Sequence, residues 1–430
     1  MAILIDAYNI SRVQGTGVAT YGRTLAKAAT ALGHEVHLLY GTRAGHARQP
    51  LLNEIALAEG EEAAASGFRQ IGIPRQVATA ISGIVATRNA REINLSGEVI
   101  MPTPLCDELS GMRYWNAPRL YSLSQKAFRI TGRMSNVKVC DIDIAHWTYP
   151  LPIKMSGAVN IYTIHDLVPL RMPYTTSDQK KHYLSLCQSI AREADHILTV
   201  SEHSRADIIR ILGVKENRVT NLYQTTDLEE ILNLLTTEQI EIEIDGLLNL
   251  EMRGYYLFFG AIEPKKNIAR IIEAYLTSGA RHPLVIVGAP GWGSNRDLTL
   301  LKQISELDGK KRIKWLGYLP RRTLATVIAG ARAVLFPSLY EGFGLPVLEA
   351  MALGTPIITS NSSSLPEIAG DAGILVDPLN VRAIAGAIQQ IDSDDRTVES
   401  LSKAGLSRAK YFSTSNYIAR LSAFYASFGL

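Results

Sequence analysis

Residues 336–349 read FPSLYEGFGLPVLE. The apolar run Ala333-Val334-Leu335-Phe336 enters this stretch as a buried strand would, and Pro337 and Ser338 stop it. Glu341-Gly342-Phe343-Gly344-Leu345-Pro346 follows, and Val347-Leu348-Glu349-Ala350-Met351-Ala352 has helix-forming character. Strand, glycine turn and helix make one unit of a parallel α/β sheet. Pro346 suits the first turn of the helix, where its missing N–H costs nothing. Unpaired amides at a helix start, with the positive end of the dipole, favour phosphate. The glycines let a ligand approach the backbone. Glu341 precedes the helix and Glu349 lies about one turn into it, so both can address one ligand. An ordinary βα turn carrying two solvated glutamates would show the same pattern.

The same rhythm extends outward from this stretch. Strand 255–259 is followed by Gly260-Ala261-Ile262-Glu263-Pro264-Lys265-Lys266-Asn267 and a helix over 268–277. Strand 284–287 leads to a glycine-rich turn and a helix near 296–306. Strand 313–316 leads to Gly317-Tyr318-Leu319 and a helix over 322–330. Strands 356–359 and 373–376, helix 380–391 and an amphipathic run over 411–430 complete this half. The chain opens in the same way, with strand 2–6, the turn Gly15-Thr16-Gly17, a helix from Val18 to Leu32 and strand 36–40. This is a βαβ opening of a doubly wound sheet. The turn lacks the six-position glycine fingerprint and its acidic ribose partner, so it does not read as a nicotinamide site. Gly15, Thr16 and Gly17 either cradle a phosphate or an acceptor, or form a tight turn and no more.

The 430 residues suffice for two domains. The pattern places them at 1–250 and 251–410, with 411–430 as a last helix packing back toward the first. Apolar content of 47% and charge of 20% are globular values, and a net charge of +3 is too small to imply nucleic acid as a partner. Cys106, Cys140 and Cys187 are too widely spaced for a disulfide framework or a metal pattern, so a reducing cytoplasm is the default expectation. The N-terminus has no basic region of a signal peptide, and no apolar run approaches the roughly 18–20 residues of a membrane span.

Residues 44–140 read as a helical basic insertion, with helical patterns around 52–65 and 74–92 and little strand character. Arg113, Arg119, Lys126, Arg129, Arg133 and Lys138 are interleaved with Tyr114, Trp115, Tyr121 and Phe128, and no acidic residue intervenes. Such a surface either lies on an anionic inner-membrane face or holds a lipid-linked phosphate, or is a set of solvated helix faces. Asp141-Ile142-Asp143 has the form of a metal-binding DxD pair, but it runs into Ile144-Ala145-His146-Trp147 and reads as the lead of a buried strand.

His165 and Asp166 end strand 159–164, where open α/β sheets bind ligands. The histidine can donate a hydrogen bond to an oxygen that gains charge, with Asp166 fixing its tautomer or ordering the loop. Alternatively the pair only caps the strand. After helix 178–194 and strand 197–200, Ser201 reads as the N-cap of helix 202–212. Arg205 either meets phosphate across the crevice or pairs with Asp207 or Glu202. Two such sheets in series put their carboxyl ends on one interdomain cleft.

Residues 337–378, PSLYEGFGLPVLEAMALGTPIITSNSSSLPEIAGDAGILVDP, and GAIEPKKN at 260–267 resemble the retaining, nucleotide-sugar-dependent glycosyltransferases of family 4. TIHDLVP at 163–169 and VSEHSR at 200–205 match that family's more variable first half. The resemblance implies the GT-B fold, two Rossmann-like doubly wound α/β domains facing a cleft, with a C-terminal helix crossing back. It assigns Glu341 to the donor sugar, Glu349 to the ribose, and the backbone of Phe343, Gly344 and Leu345, in the turn begun by Gly342, to sugar hydroxyls and phosphate. It gives Lys266 and Lys265 to the diphosphate, Gly317 and Tyr318 to the base, and His165 to the reacting sugar. Many relatives carry an arginine where this chain has Ala261, and Arg205 is then a candidate to share the diphosphate.

The resemblance further implies an enzyme that moves a hexose with retention and uses no metal or other cofactor. Mannose from GDP-mannose fits the wording of GAIEPKKN and TIHDLVP, which looks like mannosyl and rhamnosyl members. The acceptor would be a saccharide or a polyprenyl-linked precursor of a bacterial surface polysaccharide. The enzyme would work in the cytoplasm or peripherally on the inner membrane. Alternatives are another GDP- or UDP-sugar transferase, a GT-B sugar-nucleotide epimerase, or a catalytically silent scaffold relative. A two-carboxylate glycosidase fits less well, because Glu341 and Glu349 share one turn–helix unit instead of flanking a bond.

Overall fold

A computed structural model describes residues 1–10, 17–42, 49–59, 87–101, 109, 111–232, 234–307 and 312–429. The expectations for Gly15 and Thr16, and the helical pattern over 60–86, fall outside these residues.

The first domain is built on β1 (Ala2–Asp6), β2 (Glu35–Tyr40), β4 (Arg91–Ile93), β5 (Arg113–Asn116), β7 (Ile144–Trp147), β9 (Val159–Thr163), β10 (His196–Thr199) and β11 (Val219–Asn221). They form one sheet in the order β11-β10-β9-β7-β1-β2-β5-β4, parallel except for β4 against β5. A small parallel sheet of β3 (Arg88–Asn89), β6 (Ser135–Lys138) and β8 (Ile153–Met155) accompanies it. The second domain has six parallel strands in the order β14-β13-β12-β15-β16-β17. These are β12 (Tyr256–Phe259), β13 (Leu284–Val287), β14 (Ile313–Leu316), β15 (Ala333–Phe336), β16 (Ile357–Ser360) and β17 (Ile374–Val376). β12, β13 and β15 are buried along their whole length, which is why they read as unbroken apolar runs and not as alternating ones.

Six helices frame the cleft and the domain junctions. They are α1 (Gly17–Ala31), α2 (Leu120–Thr131), α3 (Glu202–Leu212), α4 (Thr237–Leu248), α5 (Leu345–Ala352) and α6 (Thr414–Ala426). Ser201 caps α3 by accepting the Ser204 amide at 3.0 Å, as the sequence pattern requires.

Three expectations are corrected. First, the stretch 44–140 contributes strands as well as helices, and β5 extends the central sheet beside β2. Second, the aromatic residues of 109–140 do not share a surface with the basic ones. Tyr114, Trp115, Tyr121 and Phe128 are buried, while the six basic side chains are exposed. Tyr121 and Phe128 are seven residues apart on one face of α2, so packing under the sheet claims both. Arg113 is engaged by Glu92 at 2.6 Å and Glu35 at 2.8 Å. Third, α4 belongs with the second sheet although it precedes the expected boundary at 250. Ile240, Ile244 and Leu248 are buried there, and Lys314 donates to the Leu248 carbonyl at 2.5 Å. Gly330 makes room for it, since a Cβ at 330 would lie 2.0 Å from Ile244 Cδ1. Asp143, by contrast, behaves as read, holding the Ala2 amide at 2.8 Å beside β7.

After the second sheet is complete the chain returns, and α6 packs on α1 of the first domain. Its fully buried Tyr425 hydroxyl lies 3.0 Å from His146 Nδ1. The other ring nitrogen, Nε2, lies 3.0 Å from Thr163 Oγ1, and Thr163 Oγ1 is 2.9 Å from the Tyr21 hydroxyl. Burial pulls the His146 pKa down to about 3, so the ring is neutral and each nitrogen has one hydroxyl partner. Tyr425→Phe removes one partner and nothing else. It should destabilise the protein by about 1–3 kcal/mol, the cost of an unsatisfied buried polar atom. Differential scanning calorimetry should show a lower melting temperature, and an unchanged one would mean the hydroxyl contributes nothing.

Candidate active site

The loop between β15 and α5 is fixed from several sides. Asn267, in the left-handed region at φ 65°, donates from Nδ2 to the carbonyls of Pro337 at 3.0 Å and Pro378 at 2.7 Å. A run of serines after β16 holds the rest. Ser360 Oγ donates to the Ser338 carbonyl at 2.7 Å and Ser362 Oγ to the Leu339 carbonyl at 3.2 Å. Ser364 Oγ is within reach of the Glu341 carbonyl at 3.0 Å and the Phe343 carbonyl at 2.8 Å. Ser363 Oγ accepts the Glu341 amide at 3.0 Å. Gly344 ends the loop at φ 106°, where a Cβ would lie 2.6 Å from Leu365 Cδ2. Helix α5 then starts at Leu345, with Pro346 in its first turn.

Glu341 is buried and takes the Lys266 amine at 2.7 Å. Burial alone would raise its carboxyl pKa, but Lys266 and Lys265 outweigh it and hold the group below the ordinary carboxylate range. The Lys266 amine also lies 4.8 Å from the centre of the Phe336 ring. Burial pulls the Lys265 amine down, yet the charges of Glu341, Asp166 and Glu263 leave it raised. Lys265 thus keeps its charge among three carboxylates, and Lys266 is paired with Glu341. Glu349 behaves oppositely. Burial pushes its carboxyl up to about 7, and Arg321 only partly offsets this. Arg321 itself is paired with Asp227. Gly317 and Tyr318 are exposed on the loop after β14.

The first domain meets this loop directly. Gly342 lies against the end of β9, and a Cβ there would be 2.8 Å from Asp166 Oδ2 and 2.9 Å from the His165 carbonyl. Its own carbonyl accepts the Ser201 hydroxyl at 2.6 Å and the Ser204 hydroxyl at 3.1 Å, both from the start of α3. Glu367, just after the serine run, accepts the α3 amides of Glu202 at 2.8 Å and His203 at 3.2 Å. A carboxylate of one domain thus caps a helix of the other. Tyr340 donates to Asp207 Oδ2 at 2.5 Å, further along α3. Gly17 comes close as well, since a Cβ at that position would lie 3.4 Å from Leu345 Cδ1. Glu341, Lys265, Lys266, Gly342, Leu345, Gly17, His165 and Asp166 are therefore brought together.

Two assignments change. Arg205 does not face the cleft; its guanidinium donates to the carbonyls of Val219 at 2.9 Å and Glu216 at 3.2 Å. Asp207 is taken by Arg210, Arg171 and Tyr340, and of the two expected carboxylate partners Arg205 pairs with Glu202, at 3.8 Å. His165 keeps its place but not its expected role. Its Nε2 is 2.9 Å from the Thr148 carbonyl, which can only accept, so Nε2 carries the proton. Burial lowers the imidazole pKa despite Thr148 and Asp166, leaving Nδ1 as an acceptor. Tyr21 stands edge-on to this ring at 4.8 Å. Sequence reasoning missed the serines at 360–364 as loop holders and Glu367 as a cap. The only signal was composition, a dense serine run ending in a helix start. Among the described residues, no group of three or more His, Cys, Asp or Glu side chains is arranged to hold a metal ion.

The two parallel sheets, the shared cleft and the returning helix are those of a GT-B glycosyltransferase. The model for "Glycosyltransferase Family 4" matches residues 15–230, and that for "Glycosyl transferases group 1" matches residues 239–408. The chain belongs to glycosyltransferase family 4. It is 36% identical to the O-antigen chain mannosyltransferase B of Escherichia coli over 272 residues, 62% of this chain and 69% of the relative. It is 25% identical to the O-antigen chain mannosyltransferase RfbU of Salmonella typhimurium over 266 residues, 62% of this chain and 68% of that one. In fold it is similar to a sucrose-phosphate synthase from Thermosynechococcus elongatus, with a TM-score of 0.68, 19% identity, and 100% and 99% of the two chains covered.

The contacts between the domains can be tested by substitution. Glu367→Ala uncaps α3 and Ser204→Ala removes one hold on Gly342, each costing about 1–2 kcal/mol. The double variant should keep its circular dichroism but show a larger radius of gyration in small-angle scattering; an unchanged radius would mean these bonds do not hold the domains together. Glu349→Gln tests the raised carboxyl. In the unfolded chain Glu349 ionises near 4.5 and in the folded protein near 7, so the wild type loses stability as pH rises through that window. The amide has no proton to lose. Its stability relative to wild type should improve between pH 4.5 and 7, on the order of 3 kcal/mol in all, and stay level above. Urea melts across that range would show it.

Proposed function

We propose that this chain transfers mannose from GDP-mannose, with retention of configuration, to a saccharide or polyprenyl-linked acceptor of a bacterial surface polysaccharide. The observation that carries this reading is the enclosed Lys266–Glu341 pair, with Lys265 beside it, directly before the start of α5. Two cations and a helix N-terminus suit a departing nucleoside diphosphate, whose negative charge grows as its bond to the sugar breaks. Glu341, kept ionised, accepts hydroxyls of the donor hexose. Glu349 takes the ribose hydroxyls, and Gly317 and Tyr318 flank the base. His165 accepts a sugar hydroxyl at Nδ1.

In the transfer, the bond from the sugar's C1 to the phosphate oxygen breaks and a bond from C1 to the acceptor oxygen forms on the same face. The acceptor's proton passes to the departing phosphate. The lysines and helix start meet the charge of the leaving group, so no metal or other cofactor enters this scheme. The mannose and O-antigen elements are supported by the names of the two relatives. No helix among the described residues is long and apolar enough to cross a membrane. The exposed basic side chains between Arg113 and Lys138 suit a peripheral contact with an anionic inner-membrane face.

Incubation with a panel of GDP- and UDP-sugars, scored by nucleotide release and by product anomer, tests the proposal. GDP-mannose should turn over, and turnover of UDP-sugars alone would sink the donor assignment. Glu341→Ala should reduce transfer by about 10³-fold or more, as losing a charge-stabilising contact commonly does. Retained activity would remove the central role given to that residue.

A further inference from the structure

Beside the donor half, the first sheet carries a group of side chains that donor binding does not use. Ile5 of β1 pairs with His146 of β7, so the loops that follow these strands leave the sheet side by side. Tyr8 and Tyr149 on those loops are partly exposed, with ring centroids 6.3 Å apart and planes 31° from parallel. Both are held. Buried Tyr121 lies 5.1 Å behind Tyr8, and its hydroxyl is bound to the Leu39 carbonyl at 2.5 Å and the Ala7 amide at 3.2 Å. Gln125 Nε2 reaches the Tyr8 hydroxyl at 3.4 Å.

Tyr149 follows Thr148, whose amide is taken by the Asp6 carboxylate and whose carbonyl is taken by His165. The order across the sheet top is therefore Tyr8, Tyr149, then His165 with Asp166 against the donor loop. Burial, then the charges of Asp178, Tyr8 and Asp166, raise the Tyr149 phenol pKa. Two tilted aromatic rings offer an apolar surface, and the Asp166 carboxylate further along the sheet top can accept hydroxyls. A pyranose has that character, a C–H face and a rim of hydroxyls. A phosphate or an anionic headgroup would be repelled by Asp166.

We propose that Tyr8 and Tyr149 are the stacking platform for a neutral hexose ring of the acceptor. The role as acceptor rests on the glycosyl-transfer reading; the binding of a saccharide does not.

Saturation-transfer NMR with methyl α-D-mannopyranoside and a mannobiose as probes tests it, with circular dichroism as the check on folding. The wild-type protein should saturate the sugar ring protons. Tyr8→Ala and Tyr149→Ala should each weaken mannobiose binding by about tenfold, about 1.4 kcal/mol. Tyr8→Phe and Tyr149→Phe should retain it, because the ring face and not the hydroxyl does the stacking. GDP affinity by calorimetry should be the same in all four variants. The proposal is overturned if the wild type gives no saturation transfer, if the alanine variants bind as well as wild type, or if the phenylalanine variants lose as much as the alanine ones. Absence of sugar-nucleotide turnover in the wild type would overturn the transfer reading instead, and that assay is separate from this one.

Discussion

The two domains meet at Gly342, backbone against backbone. Any side chain there would strike Asp166 Oδ2 and the His165 carbonyl, so the closeness of the domains depends on one missing Cβ. The carbonyl of the same residue receives two serine hydroxyls from the first domain. Glu341, which carries the chemistry proposed for the second domain, is the preceding residue. Its position is thus set from its own domain by Ser363 and Ser364 and from across the cleft by Ser201 and Ser204. Closure and assembly of the site are a single event in such an arrangement.

The electrostatics of the loop depend on the same packing. One strand–turn–helix unit carries two carboxyls that its surroundings push in opposite directions. Glu341 remains charged because two lysines are enclosed with it, and a buried ion pair of this kind costs most when one partner is removed alone. At Glu349 burial outweighs the charge of Arg321, which is also engaged with Asp227. Its proton therefore exchanges near neutral pH, at the position given to the ribose.

What could be read from the residues alone depends on where the information lies. β12, β13 and β15 are local apolar runs, and the Glu341–Glu349 stretch is a local motif, so both were legible. β5 was not, because Arg113 to Asn116 becomes a strand only beside β2, more than seventy residues earlier. The tyrosines and phenylalanine near it looked like a surface, since burial is decided by the partner and not by the neighbours in sequence. Arg205 was placed on the right helix, but its side-chain direction is set by carbonyls at 216 and 219. Glu367 capping a helix in another domain has no sequence signature at all, because the cap and the helix are 164 and 165 residues apart.

The polypeptide crosses between the domains twice, after β11 and again before α6. The crossings lie side by side. Tyr223 packs its ring 5.7 Å from Tyr411 and 5.3 Å from Phe412, Arg420 stacks over Tyr223 and Tyr411, and Thr225 Oγ1 lies 3.3 Å from Thr414 Oγ1. Two adjacent covalent connections define a line. Rotation about that line leaves both connections intact, whereas sliding or twisting would have to stretch one connection against the other. The relative motion of the two sheets is thereby reduced to an angle, with the Gly342 contact as its stop.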